Sequence, residues 1–240
     1  MSRPDSWQPS VHWRGHLLRF GTIHAPHYDP VVGLRLLLIA FLLEVVLGPR
    51  LWLLSVLEIP VPPAWVRVPL LLALALVLVR FVAGLPLASI GLRRWREWSR
   101  IEKSYFVQIL IVANLVFVVL FADRWRAMLA EPSMGTRYLV LVTSFVWGFY
   151  QEVVYRGILQ TGLVRRLGAL SGILIGNLLF TFGPLHFYHF REAASAVPMF
   201  AGIFAIGLFF AVLFQRSGNL WMVGVFHGLG DAHINGTLLP

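Results

Sequence analysis

The chain contains no cysteine among its 240 residues. Disulfide bonds, thiolate nucleophiles and cysteine-ligated metal sites are therefore excluded. Charge is also scarce, because Asp, Glu, Lys and Arg together make up 13% of the residues, whereas a soluble domain carries about 25%. Hydrophobic residues make up 58%. This balance predicts a polytopic membrane protein.

Lysine is almost absent, and Lys103 is the single example, so the net charge of +9 comes almost wholly from arginine. Most arginines lie in short segments between apolar runs, where basic residues fix topology and meet anionic lipid. The charge therefore indicates a lipid bilayer as partner, and no nucleic acid. No secretory signal is expected, because the first apolar run begins only at Val31. We interpret residues 1–30 as a cytoplasmic, interfacial lead-in.

The apolar runs predict the architecture, since a membrane-spanning helix needs about 20 apolar residues. The predicted fold is an all-α transmembrane helical bundle of about seven or eight spans, in a single membrane domain over residues 1–240. The predicted spans are 31–48, 68–87, 105–122, 138–164, 170–187, 196–214 and 220–233, and an interfacial return over 51–59 leaves the number open.

Basic residues also predict the orientation, because cytoplasmic segments carry an excess of them. With the N-terminus inside, the inside segments hold eleven basic residues and the outside loops hold six. The densest cluster, residues 93–103, is expected on the cytoplasmic side. The N-terminus is therefore predicted to be cytoplasmic.

Gln151, Glu152 and Arg156 interrupt the apolar run 138–164. Burying a charge in lipid costs roughly 2.5–3.5 kcal/mol on insertion scales, so such residues usually face a protein interior and mark a function. Glu152 and Arg156 are four residues apart and share a helical face. A purely structural ion pair that joins two helices is the simpler alternative.

Further polar groups occur in the later runs 170–187 and 220–233, where single histidines more often bond a neighbouring helix. Three spans that each carry such a group instead indicate one water-filled pocket, within a catalytic core over 138–233. The groups expected to converge there are Glu152, His186, His227 and Asp231. His189 and His233 are expected to be peripheral, because both lie near helix ends that water reaches.

These residue types suit peptide hydrolysis without a metal or cofactor. A carboxylate or imidazole can remove a proton from water, and a second imidazole can stabilise the oxyanion of the tetrahedral intermediate. Zinc would accept two histidines and a glutamate, but no His-Glu-x-x-His pair occurs. Glycines at 228 and 230 would allow another backbone or a substrate to approach closely.

Other enzyme classes fit less well. A serine protease needs a placed serine, and none of Ser144, Ser171 and Ser195 lies in a Gly-x-Ser-x-Gly elbow. The pattern Gly-x-Gly-Asp of aspartyl intramembrane proteases occurs at 228–231, but the only Tyr-Asp pair, at 28–29, lies outside the membrane runs. A transporter could use the same buried charges as an ion path, yet the chain lacks repeat symmetry.

The three late motifs, taken together, resemble the CAAX prenyl protease and bacteriocin-processing family, also called the Abi family, of glutamate-dependent intramembrane proteases. Its signature is Glu-Glu-x-x-x-Arg, Phe-x-x-x-His and His-x-x-x-Asn or Asp on successive membrane helices. The matching residues are Gln151-Glu152 with Arg156, Phe182 with His186, and His227 with Asp231.

The resemblance implies an endopeptidase in the bacterial inner (plasma) membrane that cleaves a membrane-bound peptide or protein near its C-terminus. It assigns Glu152 to the catalytic acid pair and Arg156 to its orientation. Phe182 would shape the pocket beside His186, which helps to activate water. His227 and Asp231 would polarise the scissile carbonyl.

Gln151 departs from the family pattern, in which this position is the first acid and the base that activates water. An amide accepts no proton near neutral pH. Glu152 or His186 would therefore take over as base. The alternative is a non-catalytic member that serves as a membrane scaffold or a bacteriocin self-immunity protein.

Overall fold

The computed structural model describes residues 29–48, 51, 54, 56–98, 100–186 and 196–234. All regular secondary structure in these residues is helical, so the predicted all-α class is confirmed. The predicted lead-in up to residue 28 and His189 lie outside the described residues, as does part of the predicted return over 51–59.

Long helices make up most of the described chain, and three of them change to π-helical geometry. In chain order the α-helices are α1 (Pro30–Phe41), α2 (Ala64–Val77), α3 (Arg100–Leu120), α4 (Ala122–Ala130), α5 (Met134–Glu152), α6 (Thr161–Leu167), α7 (Ala169–Phe182), α8 (Ala196–Ser217) and α9 (Leu220–Ile234). The π-helical segments are π1 (Leu42–Val46) after α1, π2 (Leu78–Val82) after α2, and π3 (Val153–Gln160) between α5 and α6. π-Helical turns inside α-helices occur frequently at functional sites.

Capping side chains explain where two helices begin. The Asp29 carboxylate accepts a hydrogen bond of 3.0 Å from the Val32 amide, and Pro30 occupies the first turn of α1. At the start of α5, the Ser133 hydroxyl accepts a hydrogen bond of 3.2 Å from the Thr136 amide. Both contacts satisfy amides that have no partner inside the helix.

The outer surface of the bundle is that of a membrane protein. Within the described residues, three helices are long and apolar enough to cross a membrane: Ala64–Val82, Glu102–Leu120 and Ala196–Ser217. Ala169–Phe182 is a shorter apolar helix. Helix α3 exposes large apolar side chains, including Leu115 and Val119, as lipid-facing helices do. The total of seven or eight spans stays a prediction.

The continuous helix formed by α5, π3 and α6 lies at the centre of the bundle. Every residue from 148 to 165 is buried, and helices α1, α2, α7, α8 and α9 pack around this column. A polar group on a helix that is buried on every side must find its partners within the protein. The polar residues of the column therefore determine how the surrounding helices are held.

Candidate active site

Two glycines allow α5 and α9 to touch through their backbones. A Cβ atom added to Gly148 would lie 2.9 Å from the Gly228 Cα atom and 2.9 Å from the carbonyl oxygen of His227. A Cβ atom added to Gly228 would lie 2.5 Å from the carbonyl oxygen of Phe145. Small residues permit this close approach of membrane helices. The crossing brings the C-terminal turn of α5, with Glu152, against the middle of α9, with His227.

Glu152 is fully buried, and each oxygen of its carboxylate faces a cationic or hydrogen-bonding partner. Oε1 lies 2.7 Å from Nδ1 of His227, and Oε2 lies 3.3 Å from Nε of Arg156. The side chains of Glu152 and Arg156 both have 0% exposure. Because an ionised carboxylate only accepts hydrogen bonds, Nδ1 of His227 donates in this contact. The imidazole is thereby held with Nε2 pointing away from Glu152.

Asp231 lies beyond the far nitrogen of His227. Its Oδ1 is 3.7 Å from Nε2 of His227, and its Oδ2 accepts a hydrogen bond of 3.3 Å from the Gln151 amide. Five side chains therefore form one row, in the order Arg156, Glu152, His227, Asp231 and Gln151. The exposed fraction of the side chain rises along it from 0% at Glu152 to 15% at Asp231. The row is thus closed at Arg156 and Glu152 and partly exposed at His227 and Asp231.

Three side chains of the central column and of α7 hold α8 in place by donating to its backbone carbonyls. The donor–acceptor pairs are Arg156 Nη2 to Gly207 at 2.9 Å, Gln160 Nε2 to Ala211 at 2.9 Å, and Asn177 Nδ2 to Phe204 at 3.0 Å. Amide and guanidinium groups that are buried in an apolar bundle need such acceptors. The guanidinium of the row is therefore anchored to α8 as well as to the carboxylate.

His186 lies just beyond the end of α7 and packs against Phe180. Its Nδ1 is 2.7 Å from the Phe180 carbonyl oxygen, and the two ring centroids are 5.0 Å apart. The ring of His227 lies 6.2 Å from the same Phe180 ring. Phe182, expected beside His186, is 43% exposed and packs against Phe200 at 5.2 Å. The ring that contacts His186 therefore belongs to Phe180.

His233 lies outside the row, in a separate polar contact. Its Nδ1 accepts a hydrogen bond of 2.7 Å from Trp125 Nε1, and its Nε2 is 3.1 Å from the Asn114 side-chain oxygen. The expectation that water reaches this residue is wrong, because only 4% of it is exposed. Helices α3 and α4 cover this part of α9 and supply both partners.

Glu44 is a buried acid that no motif pointed to. It lies in π1, is 6% exposed, and accepts a hydrogen bond of 2.9 Å from the Tyr155 hydroxyl. The Tyr155 ring packs edge-on against Phe180 at 5.1 Å, so this pair is next to the row. The available signal was the charge itself, since a carboxylate within an apolar membrane run is a functional candidate by default.

The arrangement offers acid–base groups and hydrogen-bond donors in one place. Imidazole and carboxylate side chains can transfer protons, and donors held in fixed positions can stabilise a developing oxyanion. Across the described part of the chain, no group of three or more His, Asp or Glu side chains is arranged to hold a metal ion. The acid–base groups and the donors of the row suit hydrolysis by a water molecule that protein groups activate.

Residues 133–233 match the family model described as Rce1-like, type II CAAX prenyl endopeptidase Rce1-like. Comparison with curated proteins and with solved structures gave no match. The matched segment runs from the cap of α5 almost to the end of α9, and it contains the entire row and His186. The match confirms the resemblance seen in the three sequence motifs: residues 133–233 are similar to the Rce1-like family of type II CAAX prenyl endopeptidases.

Proposed function

We propose that this protein is an intramembrane endopeptidase that hydrolyses a peptide bond near the C-terminus of a membrane-associated peptide or protein. The observation that carries the proposal is the 2.7 Å contact between Glu152 and His227 inside the bundle. Desolvating a carboxylate is costly for the fold, so a buried carboxylate held against an imidazole is expected where it serves a function. The endopeptidase family matched over residues 133–233 supports the same reaction class.

Glu152 acts on the chemistry through His227. A carboxylate that accepts from one imidazole nitrogen fixes the orientation of the ring. In this role His227 is an imidazolium between the carboxylates of Glu152 and Asp231, so that Nδ1–H donates to Glu152 and Nε2–H is left to polarise a scissile carbonyl. His186 contacts the same Phe180 ring as His227, and we assign it to holding the reacting water in place.

The apolar surface and the basic segments support a membrane setting. The protein is assigned to the bacterial inner membrane with its N-terminus in the cytoplasm, and its substrate approaches from the lipid phase. Hydrolysis requires no metal in this scheme, because a water molecule is activated by side chains of the row.

Cleavage of a defined peptide tests this function. Purified protein in liposomes should cleave an internally quenched, prenylated peptide with a CAAX-type C-terminus, and EDTA or 1,10-phenanthroline should not reduce the rate. Glu152→Gln should lower kcat by about 10²–10⁴-fold, because the carboxylate that orients His227 is lost. Glu102→Gln is the matched control, because Glu102 is also buried but pairs with Arg93 at 2.8 Å, outside the row. A native protein that does not cleave would refute the proposal.

A second candidate, a non-catalytic scaffold or bacteriocin self-immunity protein, is favoured by one observation. Gln151, in the position of the first motif acid, carries an amide that cannot accept a proton near neutral pH. In that case the native chain is inert, and Gln151→Glu creates cleavage of the same peptide. Native activity that equals or exceeds that of Gln151→Glu excludes this candidate.

A further inference from the structure

Gln151 and Asp231 form an amide–carboxylate pair across the crossing of α5 and α9. The amide nitrogen of Gln151 donates to Oδ2 of Asp231 at 3.3 Å. Gln151 is 5% exposed, whereas the Asp231 side chain is 15% exposed. Asp231 is therefore the more exposed of the two carboxylates in the row.

Glu152 is poorly placed to take a proton from water. Both of its oxygens face protein groups, at 2.7 Å and 3.3 Å, and its side chain has 0% exposure. A general base must be within hydrogen-bond reach of the proton that it abstracts, directly or through one water. Glu152 meets His227 instead, which suits a positioning role better than that of base.

Asp231, unlike Glu152, has a carboxylate oxygen that can contact a water molecule. The Gln151 amide engages Oδ2, so Oδ1 remains directed towards Nε2 of His227 at 3.7 Å. This separation is too long for a direct hydrogen bond, and a water beside the pair can contact both atoms. Such a water would lie between a proton acceptor and the imidazole that is assigned to the scissile carbonyl.

The amide at position 151 keeps the proton-accepting capacity on Asp231 alone. A glutamate there would place two carboxylates about 3.3 Å apart, and like charges at that distance cannot both be ionised. An amide donates to the carboxylate without competing for its proton. Gln151 thus completes a pair in which the acid lies on α9 and the amide on α5.

We propose that Asp231 is the general base of the hydrolysis and that Gln151 is its positioning residue; this inference rests on the proposed function. Oδ1 of Asp231 takes one proton from water, and the water oxygen bonds to the carbonyl carbon while the π electrons move to the carbonyl oxygen. His227 donates a hydrogen bond to that oxyanion. When the intermediate collapses, the C–N bond breaks, its electron pair stays on nitrogen, and Asp231 returns the proton to the amine.

An exchange of the two groups tests the assignment. Asp231→Asn should lower kcat for the prenylated peptide by about 10²-fold or more with little change in KM, because only the proton transfer is lost. Gln151→Glu alone should also lower kcat, since the two acids then share one proton. The double variant Gln151→Glu with Asp231→Asn restores one carboxylate and one amide. Its kcat should be at least about tenfold higher than that of Asp231→Asn.

The thermal unfolding midpoint of each variant in detergent separates a loss of proton transfer from a folding defect. Glu102→Gln is the reference for losing a buried charge. Native kcat in Asp231→Asn would overturn the assignment while leaving the endopeptidase intact. A double variant no more active than Asp231→Asn would overturn the pairing with Gln151. A native chain that cleaves nothing, with or without gain by Gln151→Glu, would remove the proposed function and this inference together.

Discussion

The Tyr155 hydroxyl donates a hydrogen bond of 2.9 Å to the Glu44 carboxylate, across a sequence separation of 111 residues. Tyr155 lies between Glu152 and Arg156 in sequence, so one short stretch contacts both α9 and π1. Two π-helical segments, π1 and π3, therefore meet at a buried acid beside the candidate site.

This contact predicts an asymmetry between single and double substitutions. Tyr155→Phe should lower the free energy of unfolding by about 1–3 kcal/mol, because the buried Glu44 carboxyl loses a donor and keeps its desolvation cost. Adding Glu44→Leu should recover part of that loss, since removing both partners strands no group. Unfolding by SDS titration in detergent micelles measures both values.

Tyr138→Phe is the control, because Tyr138 is 71% exposed and its substitution should leave the unfolding free energy unchanged. A double variant that is less stable than the sum of the two single losses would contradict a direct coupling between Tyr155 and Glu44.

Local spacing predicted the contacts that lie within one helix. Glu152 and Arg156 pair at 3.3 Å, and His227 and Asp231 approach to 3.7 Å, both as i,i+4 neighbours. The same spacing failed for Phe182 because α7 ends at that residue and Gly183 follows in extended geometry. The four residues to His186 are therefore not a helical turn, and the two side chains do not share a face.

For contacts between helices, the sequence predicted that polar side chains lie in one place, but it did not predict which residue contacts which. The sequence gives no crossing angle, so it could not show that Gln151 meets Asp231 while Glu152 meets His227. Glu44 was not predicted to lie next to the site for the same reason, because its partner Tyr155 lies on a helix far along the chain. The glycines that set the crossing were visible, but only the packed structure shows which helix approaches Gly228.

Adding a methyl group at the α5–α9 crossing should separate Glu152 from His227. In Gly228→Ala the new Cβ atom would lie 2.5 Å from the Phe145 carbonyl oxygen, so the two backbones must move apart. Displacing a catalytic group by about 1 Å can cost about 10²-fold in rate. We therefore expect a loss of that order in kcat for the quenched peptide, together with a lower unfolding midpoint.

Gly202→Ala is the matched control, because a Cβ atom at this position in α8 has no heavy atom within 4 Å. It should keep native activity and stability. Native kcat in Gly228→Ala would show that the helix crossing does not determine the geometry of the site.

The absence of cysteine makes the predicted orientation directly testable. A single cysteine introduced by Arg96→Cys, at an exposed position in the basic segment 93–103, should react with a membrane-impermeant maleimide only after intact cells are opened. Met134→Cys, at a 71% exposed position at the start of α5, should react in intact cells. The reverse pattern of labelling would contradict a cytoplasmic N-terminus.

Phe180 is the aromatic side chain that holds the groups of the site together. Its ring packs against His186 at 5.0 Å, His227 at 6.2 Å and Tyr155 at 5.1 Å, and the Arg156 guanidinium lies 4.6 Å from its centroid. An aromatic pair contributes about 0.5–1.5 kcal/mol beyond area burial, and a cation over a desolvated ring contributes up to about 2 kcal/mol. Phe180 therefore positions both imidazoles and the cation of the row.

Phe180→Leu should thus lower kcat by about 10–100-fold, since each 1.36 kcal/mol of lost transition-state stabilisation is tenfold in rate. Leucine keeps most of the apolar volume. The loss of folding free energy, read from the unfolding midpoint, should therefore be smaller than the free energy that corresponds to the loss of kcat. Phe182→Leu is the matched variant, because Phe182 fits the sequence motif but is 43% exposed and packs against Phe200. It should retain nearly native kcat on the same peptide. A larger loss of kcat in Phe182→Leu than in Phe180→Leu would show that the motif residue Phe182, and not Phe180, belongs to the site.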